Sequence, residues 1–203
     1  MTLGAKTYLE HLRAYVNDDY VMDDGSKGEV VLTEKYFRAQ DVKPQKRKVK
    51  LVLPGPGMAF KLDHDDFDTR ENKSKPALFH FLDDQAKPWS KRCDFVVFYV
   101  EGKSFRADCI EFKSKSLTAS KIVPQLDAGA CWVHSLKRTV EHYTSYKRRI
   151  RIRKFVFADN DNPGNYLGSN RQLSADPSVR YYHFDEVNGQ EIADLENSSE
   201  HYV

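Results

Sequence analysis

Two short apolar runs joined by a turn constrain the fold of this chain more than any other feature. The first run, FVVFYV at residues 95–100, is rich in Val and Phe, and FRADCIEF follows at 105–112. The segment EGKS at 101–104 lies between them and has the composition of a turn. The pattern therefore predicts a β-hairpin over residues 94–113.

The segments around this hairpin predict an α/β domain. Residues 1–16 have the apolar spacing of an amphipathic helix. Residues 118–146 repeat apolar side chains at steps of three and four, which is typical of a long helix. The following RRIRIRKFVFA alternates basic and apolar residues, as a strand with one buried face does, and a last strand is predicted at 180–184.

The stretch before the hairpin is less regular. Residues 29–40 alternate weakly and suit either a strand or a helix. The densest basic run, KPQKRKVK at 43–50, comes next. The prolines and glycines at 54–57 are expected to break any regular element there.

Charge divides the chain into a body and a tail. The formal net charge is +2, yet residues 185–203 hold six acids and neither Lys nor Arg. We expect one domain at residues 1–184, with a basic surface suited to a polyanion, followed by an acidic, flexible tail at 185–203. On charge alone, a basic surface that is merely solvated is an equal alternative.

The chain also bears on cellular location. It has no apolar stretch of the roughly 20 residues that a membrane span needs. Residues 1–16 lack the apolar block of a secretory signal. We expect a cytoplasmic protein that makes no contact with membranes.

Two carboxylates and an ammonium group are spaced to meet at one end of the predicted hairpin. Asp94 opens its first strand, and Glu111 and Lys113 end its second. Side chains two apart in a strand share a face, and antiparallel pairing brings Asp94 near Glu111. This grouping suits phosphodiester hydrolysis, because Mg²⁺ favours carboxylate oxygens and polarises phosphate. Partial burial is expected to lower the pKa of Lys113, which could then activate water or offset developing charge.

This arrangement resembles the PD-(D/E)XK nuclease superfamily, in which an Asp begins one strand and Glu-x-Lys lies on the next. The likeness covers residues 90–160, although Cys93 stands where the family name has Pro. It implies a restriction-endonuclease-like αβββαβ core with a mixed central sheet flanked by helices. By this resemblance Mg²⁺, or Mn²⁺ as a substitute, is bound by Asp94, Glu111 and the carbonyl of Phe112.

The resemblance also implies further site residues. Lys113 would be the catalytic lysine, and Gln125 matches a Gln that some branches carry on the next helix. The family often adds a Glu upstream, for which Glu10 is the first candidate and Glu29 the second. The basic residues expected to bind nucleic acid are Lys46, Arg47, Lys48, Lys115, Lys121, Arg149 and Arg151.

The function implied is an Mg²⁺-dependent endonuclease that acts on DNA in preference to RNA, in restriction or antiviral defence. Because one site cuts one strand, such an enzyme is expected to be a homodimer or a subunit of a larger complex. The alternative is a catalytically silent domain that binds nucleic acid or regulates a larger complex. A separate acidic group lacks the glycine and final glutamate of a calcium loop and is expected to be solvated: Asp63, Asp65, Asp66 and Asp68.

Overall fold

The structure is a computed structural model that describes residues 4–36, 43–63, 91–114, 117, 119–159, 178–197 and 201–202. Its helices are α1 (Ala5–Tyr15), α2 (Ala119–Thr144) and α3 (Phe184–Val187). Its strands are β1 (Val21–Asp23), β2 (Glu29–Tyr36), β3 (Gln45–Val52), β4 (Gly57–Lys61), β5 (Phe95–Glu101), β6 (Ser104–Lys113), β7 (Ile150–Ala158), β8 (Val179–His183) and β9 (His201–Tyr202).

Seven of these strands form one mixed sheet, hereafter the main sheet, in the order β1-β4-β5-β6-β7-β8, with β9 also pairing with β7. Strands β4, β5 and β6 pair antiparallel, whereas β7 is parallel to β6 and β8 is parallel to β7. The parallel step from β6 to β7 requires a crossover, which α2 supplies. The expected α/β class is confirmed, and none of the described helices is long and apolar enough to cross a membrane.

The two faces of the main sheet have different covers. Helices α1 and α2 cover one face, where the buried apolar residues include Leu9, Leu12, Leu126 and Val133. Strands β2 and β3 pair antiparallel over eight residues and form a separate two-stranded ribbon on the other face. Apolar side chains at alternate ribbon positions are buried there: Val30, Leu32, Val49 and Leu51.

The strand that precedes the central hairpin is not the one that the sequence indicates. Residues 29–36 form β2 of the ribbon, while β4 takes the place beside β5 in the main sheet. The predicted break at residues 54–57 is confirmed for 54–56 and is wrong for Gly57, which begins the strand Gly57–Lys61 that the sequence pattern did not predict. A glycine begins β4 because the backbones approach closely: a Cβ on Gly57 would lie 2.5 Å from the carbonyl oxygen of Phe98.

Residues 184–197 pack onto the ribbon side of the main sheet, which differs from the flexible tail expected after residue 184. Val187 and Ile192 are fully buried, and the N–H of Val52 donates to the carbonyl oxygen of Gln190 at 2.8 Å. The acids of this segment are interspersed with apolar residues that enter the core. Acidic composition alone is therefore a poor indicator of disorder here.

A buried arginine fastens this segment to the sheet. Arg153 of β7 donates to the two carboxylate oxygens of Asp108 at 2.9 and 2.7 Å and to the Tyr99 hydroxyl at 2.8 Å. It also donates to the carbonyl oxygens of Ile192 at 2.8 Å and Leu195 at 2.6 Å. Because Arg153 and Asp108 are both buried, removing one of them would leave the other as an uncompensated charge.

We expect Arg153→Met to lower the free energy of unfolding by about 3 kcal/mol or more, since Asp108 would lose its only strong counter-charge in this cluster. Urea denaturation followed by circular dichroism measures this loss. Limited proteolysis should cut residues 188–197 first in the variant. Arg149→Met, at an exposed position, should change the free energy by less than about 1 kcal/mol. Equal losses in the two variants would contradict the anchoring role.

Candidate functional site

The pairing of β5 with β6 brings two carboxylates together at one end of the main sheet. Their register sets Asp94 opposite Glu111, just beyond the last paired residues. The N–H of Asp94 donates to Glu111 Oε2 at 3.2 Å, and the N–H of Phe112 donates to Asp94 Oδ2 at 2.6 Å. Each carboxylate thus holds the backbone of the neighbouring strand, so both side chains are fixed in place.

Both carboxyl groups are buried, Asp94 at 5% exposure and Glu111 at 0%. Burial raises the pKa of Asp94 to about 7, although the Phe112 N–H and the charge of Lys113 oppose the increase. Burial and the charge of Asp94 likewise raise the pKa of Glu111 well above its usual range. Among the described residues, the charges of Lys113 and Lys61 do not outweigh the effect of burial on Asp94, so a further cation would be stabilised beside the pair.

Lys113 is held between β6 and α2. Its Nζ donates to Glu111 Oε1 and, at 3.4 Å, to Gln125 Oε1, while Gln125 Nε2 donates to the carbonyl oxygen of Arg92 at 3.2 Å. Burial lowers the pKa of Lys113, but the charge of Glu111, the hydrogen bond to it and the charge of Asp94 outweigh burial and raise the pKa. The expected lowering of this pKa is therefore wrong, and Lys113 is a cation here.

The acidic pair fits a hard divalent cation. Mg²⁺ commonly takes one or two protein carboxylates and completes its shell with waters and substrate oxygens. Asp94 and Glu111 supply that number, and burial, which raises both pKa values, would be opposed by a bound cation. The carbonyl of Phe112 remains a predicted ligand. The described residues contain no cluster of three or more His, Cys, Asp or Glu side chains arranged to hold a metal.

Two further acids act on this site. Asp63, just after β4, adds to the increase that burial causes in the pKa of Asp94. Glu34 of β2 acts in the same sense on Glu111. Glu34 was not predicted as a residue near the site, because the sequence did not decide whether residues 29–36 form a strand or a helix. The other members of the predicted acidic group, Asp65, Asp66 and Asp68, lie outside the described residues.

The two glutamates proposed to complete the site lie elsewhere. Glu10 lines a cleft of about 500 Å³ beside Gly57, at the opposite end of the main sheet. Glu29 lies at the far end of the ribbon, where it forms an ion pair with Lys50 at 2.5 Å. Both glutamates are therefore away from the acidic pair, at the opposite end of the main sheet and of the ribbon.

Four of the predicted nucleic-acid-binding residues can be placed by the strand directions. Lys46 and Lys48 are exposed on β3. Arg149 and Arg151 lie at the start of β7, and Arg151 pairs with Arg106, seven residues before Lys113 along β6. At about 3.3 Å per residue this puts Arg151 roughly 17 Å along the sheet from the level of Glu111 and roughly 23 Å from that of Lys113, and binding of nucleic acid by the two arginines stays a prediction.

The three remaining residues predicted to bind nucleic acid are Lys121, Lys115 and Arg47. Lys121 is exposed on α2, one helical turn before Gln125, and so lies on the side of α2 that faces the site. Lys115 lies outside the described residues. Arg47 is not a free phosphate ligand, because its side chain is tied down within the protein.

Arg47 links the ribbon to the end of the main sheet. Its guanidinium is 2.5 Å from Asp159 Oδ2 and lies 4.1 Å from the ring centre of Phe184 and 4.8 Å from that of Tyr36. The N–H of Asp159 in turn donates to the carbonyl oxygen of Lys113 at 3.2 Å. Arg47 therefore positions the backbone next to the catalytic lysine candidate.

Comparisons of the chain with protein-family models, with curated proteins and with solved structures found no match. The buried pair Asp94–Glu111, the cation Lys113 and the order of the strands are therefore the features from which a function can be inferred. They define a preformed site with two buried carboxyl groups beside an ammonium group.

The raised carboxyl pKa values predict a metal-free protein that loses stability as pH rises. A carboxyl whose pKa is higher in the folded state contributes its full stabilisation at a pH below its pKa in the unfolded chain, which is 3.8 for Asp94. That stabilisation is lost as pH rises through the pKa in the folded state, which is about 7. In EDTA, the free energy of unfolding of Asp94→Asn should therefore increase relative to that of the wild type as pH rises from about 4.5 to 7.5. We expect it to be more stable by about 1 to 3 kcal/mol at the upper limit.

Urea denaturation at each pH measures this difference. Glu101→Gln changes an acid at the other end of β5 and should keep the wild-type dependence on pH. A difference between Asp94→Asn and wild type that stays constant over the range would show that the Asp94 carboxyl does not titrate as described.

Proposed function

We propose that this protein is an Mg²⁺-dependent endonuclease with a restriction-endonuclease-like core, which hydrolyses phosphodiester bonds of DNA. The observation that carries the proposal is the buried pair of Asp94 and Glu111 with Lys113 hydrogen-bonded beside it. An isolated ion pair at a strand end would not need two carboxylates with raised pKa values. Perturbed, buried acids of this kind are concentrated at functional sites.

The order of the elements supports the same proposal. Helix α1 precedes the antiparallel strands β4, β5 and β6, and α2 then leads to β7, which is parallel to β6. Strands β1, β2 and β3 lie between α1 and β4, and apart from them the order is compatible with the αβββαβ core that the PD-(D/E)XK resemblance implies. The candidate residues lie at the start of β5 and the end of β6, where that resemblance expects them.

Each side chain has a defined part in the proposed chemistry. Asp94, Glu111 and the Phe112 carbonyl would hold Mg²⁺, which acidifies a bound water and polarises a phosphoryl oxygen. Lys113, as a fixed ammonium group, would donate to a phosphate oxygen and offset the negative charge that grows during cleavage. Gln125 accepts from Lys113 and so holds it in position from α2.

The biological setting is part of the proposal. Phosphodiesters are anionic, and the exposed Lys46, Lys48 and Lys121 provide positive charge on the elements that adjoin the site. Because one site cuts one strand, we propose that the protein acts as a homodimer or within a larger complex. Cytoplasmic restriction or antiviral defence, with DNA preferred over RNA, is the role that such an enzyme would serve.

One observation favours a second candidate, a catalytically silent domain that binds nucleic acid or regulates a complex. Both oxygens of Glu111 already accept hydrogen bonds from the chain, one from Lys113 and one from the Asp94 N–H. In a silent domain these internal bonds would replace the metal permanently. In the enzyme, a divalent cation would share the same oxygens, since each has more than one lone pair.

We expect the purified protein to nick or linearise supercoiled plasmid with Mg²⁺ or Mn²⁺ and to leave it intact in EDTA. Glu111→Gln and Lys113→Met should each lower the cleavage rate by about 100-fold or more. The first removes a ligand charge, and the second removes the cation that offsets the transition-state charge. Gel electrophoresis of timed samples measures the rate.

Matched controls lie at the opposite end of the same hairpin. Glu101→Gln and Lys103→Met carry the same changes of charge and should cleave within about threefold of the wild type. Wild-type cleavage by Glu111→Gln would contradict the assignment of the site. Tight DNA binding with no cleavage under any metal would favour the silent domain.

A further inference from the structure

The outward side of the β2–β3 ribbon is a lysine-rich surface, which we call the lysine face. Burial of alternate residues on the inner side leaves the intervening positions pointing outward. These positions are Glu29, Val31, Thr33, Lys35, Lys46, Lys48, Lys50 and Val52. Four of the eight residues are therefore lysines, and one is an acid.

The lysines of this face form a regular array. Lys46, Lys48 and Lys50 recur at every second residue of β3, so that their Cα atoms are about 6.8 Å apart. Lys35 lies directly opposite Lys46 in the register, and like charges in that position destabilise a ribbon. Lys50 is offset by Glu29. Positive charge therefore accumulates at the end of the ribbon that carries the exposed Lys46 and Lys48, where an anion would be stabilised.

That end of the ribbon adjoins the candidate site. Arg47, between Lys46 and Lys48, reaches Asp159, whose N–H is bonded to the Lys113 carbonyl. The charge of Glu34, opposite Arg47 in the register, acts on Glu111 and Lys113.

The other end is held by the C-terminal segment. The N–H of Lys50 donates to Asn188 Oδ1 at 3.0 Å, and the N–H of Gly189 donates to the Lys50 carbonyl oxygen at 2.7 Å. The ribbon is thus fixed at both ends, one of them next to the acidic pair. Its lysines are thus carried on a strand whose backbone is held next to the site.

We propose that the lysine face is the docking surface for double-stranded nucleic acid, whose phosphate backbone runs past Lys46 and Lys48 toward Asp94 and Glu111. This inference rests on the proposed function and specifies its substrate as a duplex. A duplex offers one phosphate charge per about 1.7 Å of its axis, twice the density of one of its strands. Such a charge array complements a row of lysines held on a rigid strand.

The composition of the face argues against a single-stranded substrate. Proteins that bind single strands combine basic groups with aromatic side chains on which the bases stack. All eight outward positions of the ribbon are described, and none of them is aromatic. The nearby rings of Tyr36 and Phe184 are covered by the guanidinium of Arg47. Phosphates rather than bases are therefore the groups that this face can bind.

Binding can be measured separately from cleavage. We suggest fluorescence anisotropy in EDTA, with a labelled duplex of about 20 base pairs and its single strand as probes, over a series of salt concentrations. Lys46→Gln/Lys48→Gln is the test variant. Lys103→Gln/Lys147→Gln carries the same change of charge at exposed positions at the other end of the main sheet and is the control. Thermal melting should show all variants folded, since the four lysines are exposed.

The test variant should raise the Kd for duplex by at least about tenfold at low salt. The slope of log K against log salt should become shallower by about 1.8, or roughly 0.9 for each lost phosphate contact. The control should keep the wild-type slope, and the wild type should bind duplex more tightly than single strand. Equal losses in the two variants, equal affinity for the two probes, or no binding by the wild type would each overturn the proposal.

The outcomes also separate this inference from the proposed function. If the test variant loses duplex binding but the wild type does not cleave bound duplex when Mg²⁺ is added, the docking surface stands and the catalytic proposal fails. If the wild type cleaves and the test variant binds duplex normally, the enzyme stands and the lysine face is overturned.

Discussion

The antiparallel pairing of β5 with β6 is the constraint on which the rest of the molecule depends. It creates the apolar faces on which the helices pack on one side and the ribbon on the other. The same register sets Asp94 opposite Glu111, where each carboxylate bonds the N–H of the neighbouring strand. A shift of one residue would turn the carboxylates to the opposite face and separate them from α2. Fold and candidate site therefore share one determinant.

The buried carboxyl groups of Asp94 and Glu111 are an unfavourable feature that the fold tolerates. Two adjacent carboxyls are buried, and their raised pKa values indicate that burial outweighs the help of Lys113 and of the backbone N–H groups. The large apolar core on both faces of the main sheet offsets this cost. In contrast, the buried Asp108 is fully matched by Arg153, and the pair serves to hold the C-terminal segment. Asp108 is thus paired within the chain, and we propose that the pair of Asp94 and Glu111 binds a cation.

How much of this could be predicted from the sequence depended on whether local pattern or long-range packing decided the outcome. Apolar runs and period-two spacing were sufficient for the hairpin and for the meeting of Asp94, Glu111 and Lys113, and apolar residues at steps of three and four were sufficient for α2. Strand β4 was missed because prolines and glycines, which usually indicate a break, stand directly before it. Its first residue, Gly57, is itself a glycine because a side chain there would meet the backbone of β5. The distant position of Arg151 follows from the parallel direction of β7, which depends on the path of α2 and on no local signal.

The central claim is that Asp94 and Glu111 form a site for a divalent cation, and calorimetric titration of Mn²⁺ into the metal-free protein tests it most directly. At about pH 7, in two buffers that differ in ionisation enthalpy, we expect saturable binding that releases protons, because a carboxyl with a pKa of about 7 must ionise to bind metal. Lys113→Met should retain this binding, since an ammonium group is no ligand, and Glu111→Gln should lose it. Unchanged Mn²⁺ binding by Glu111→Gln, or no binding by the wild type, would contradict the account.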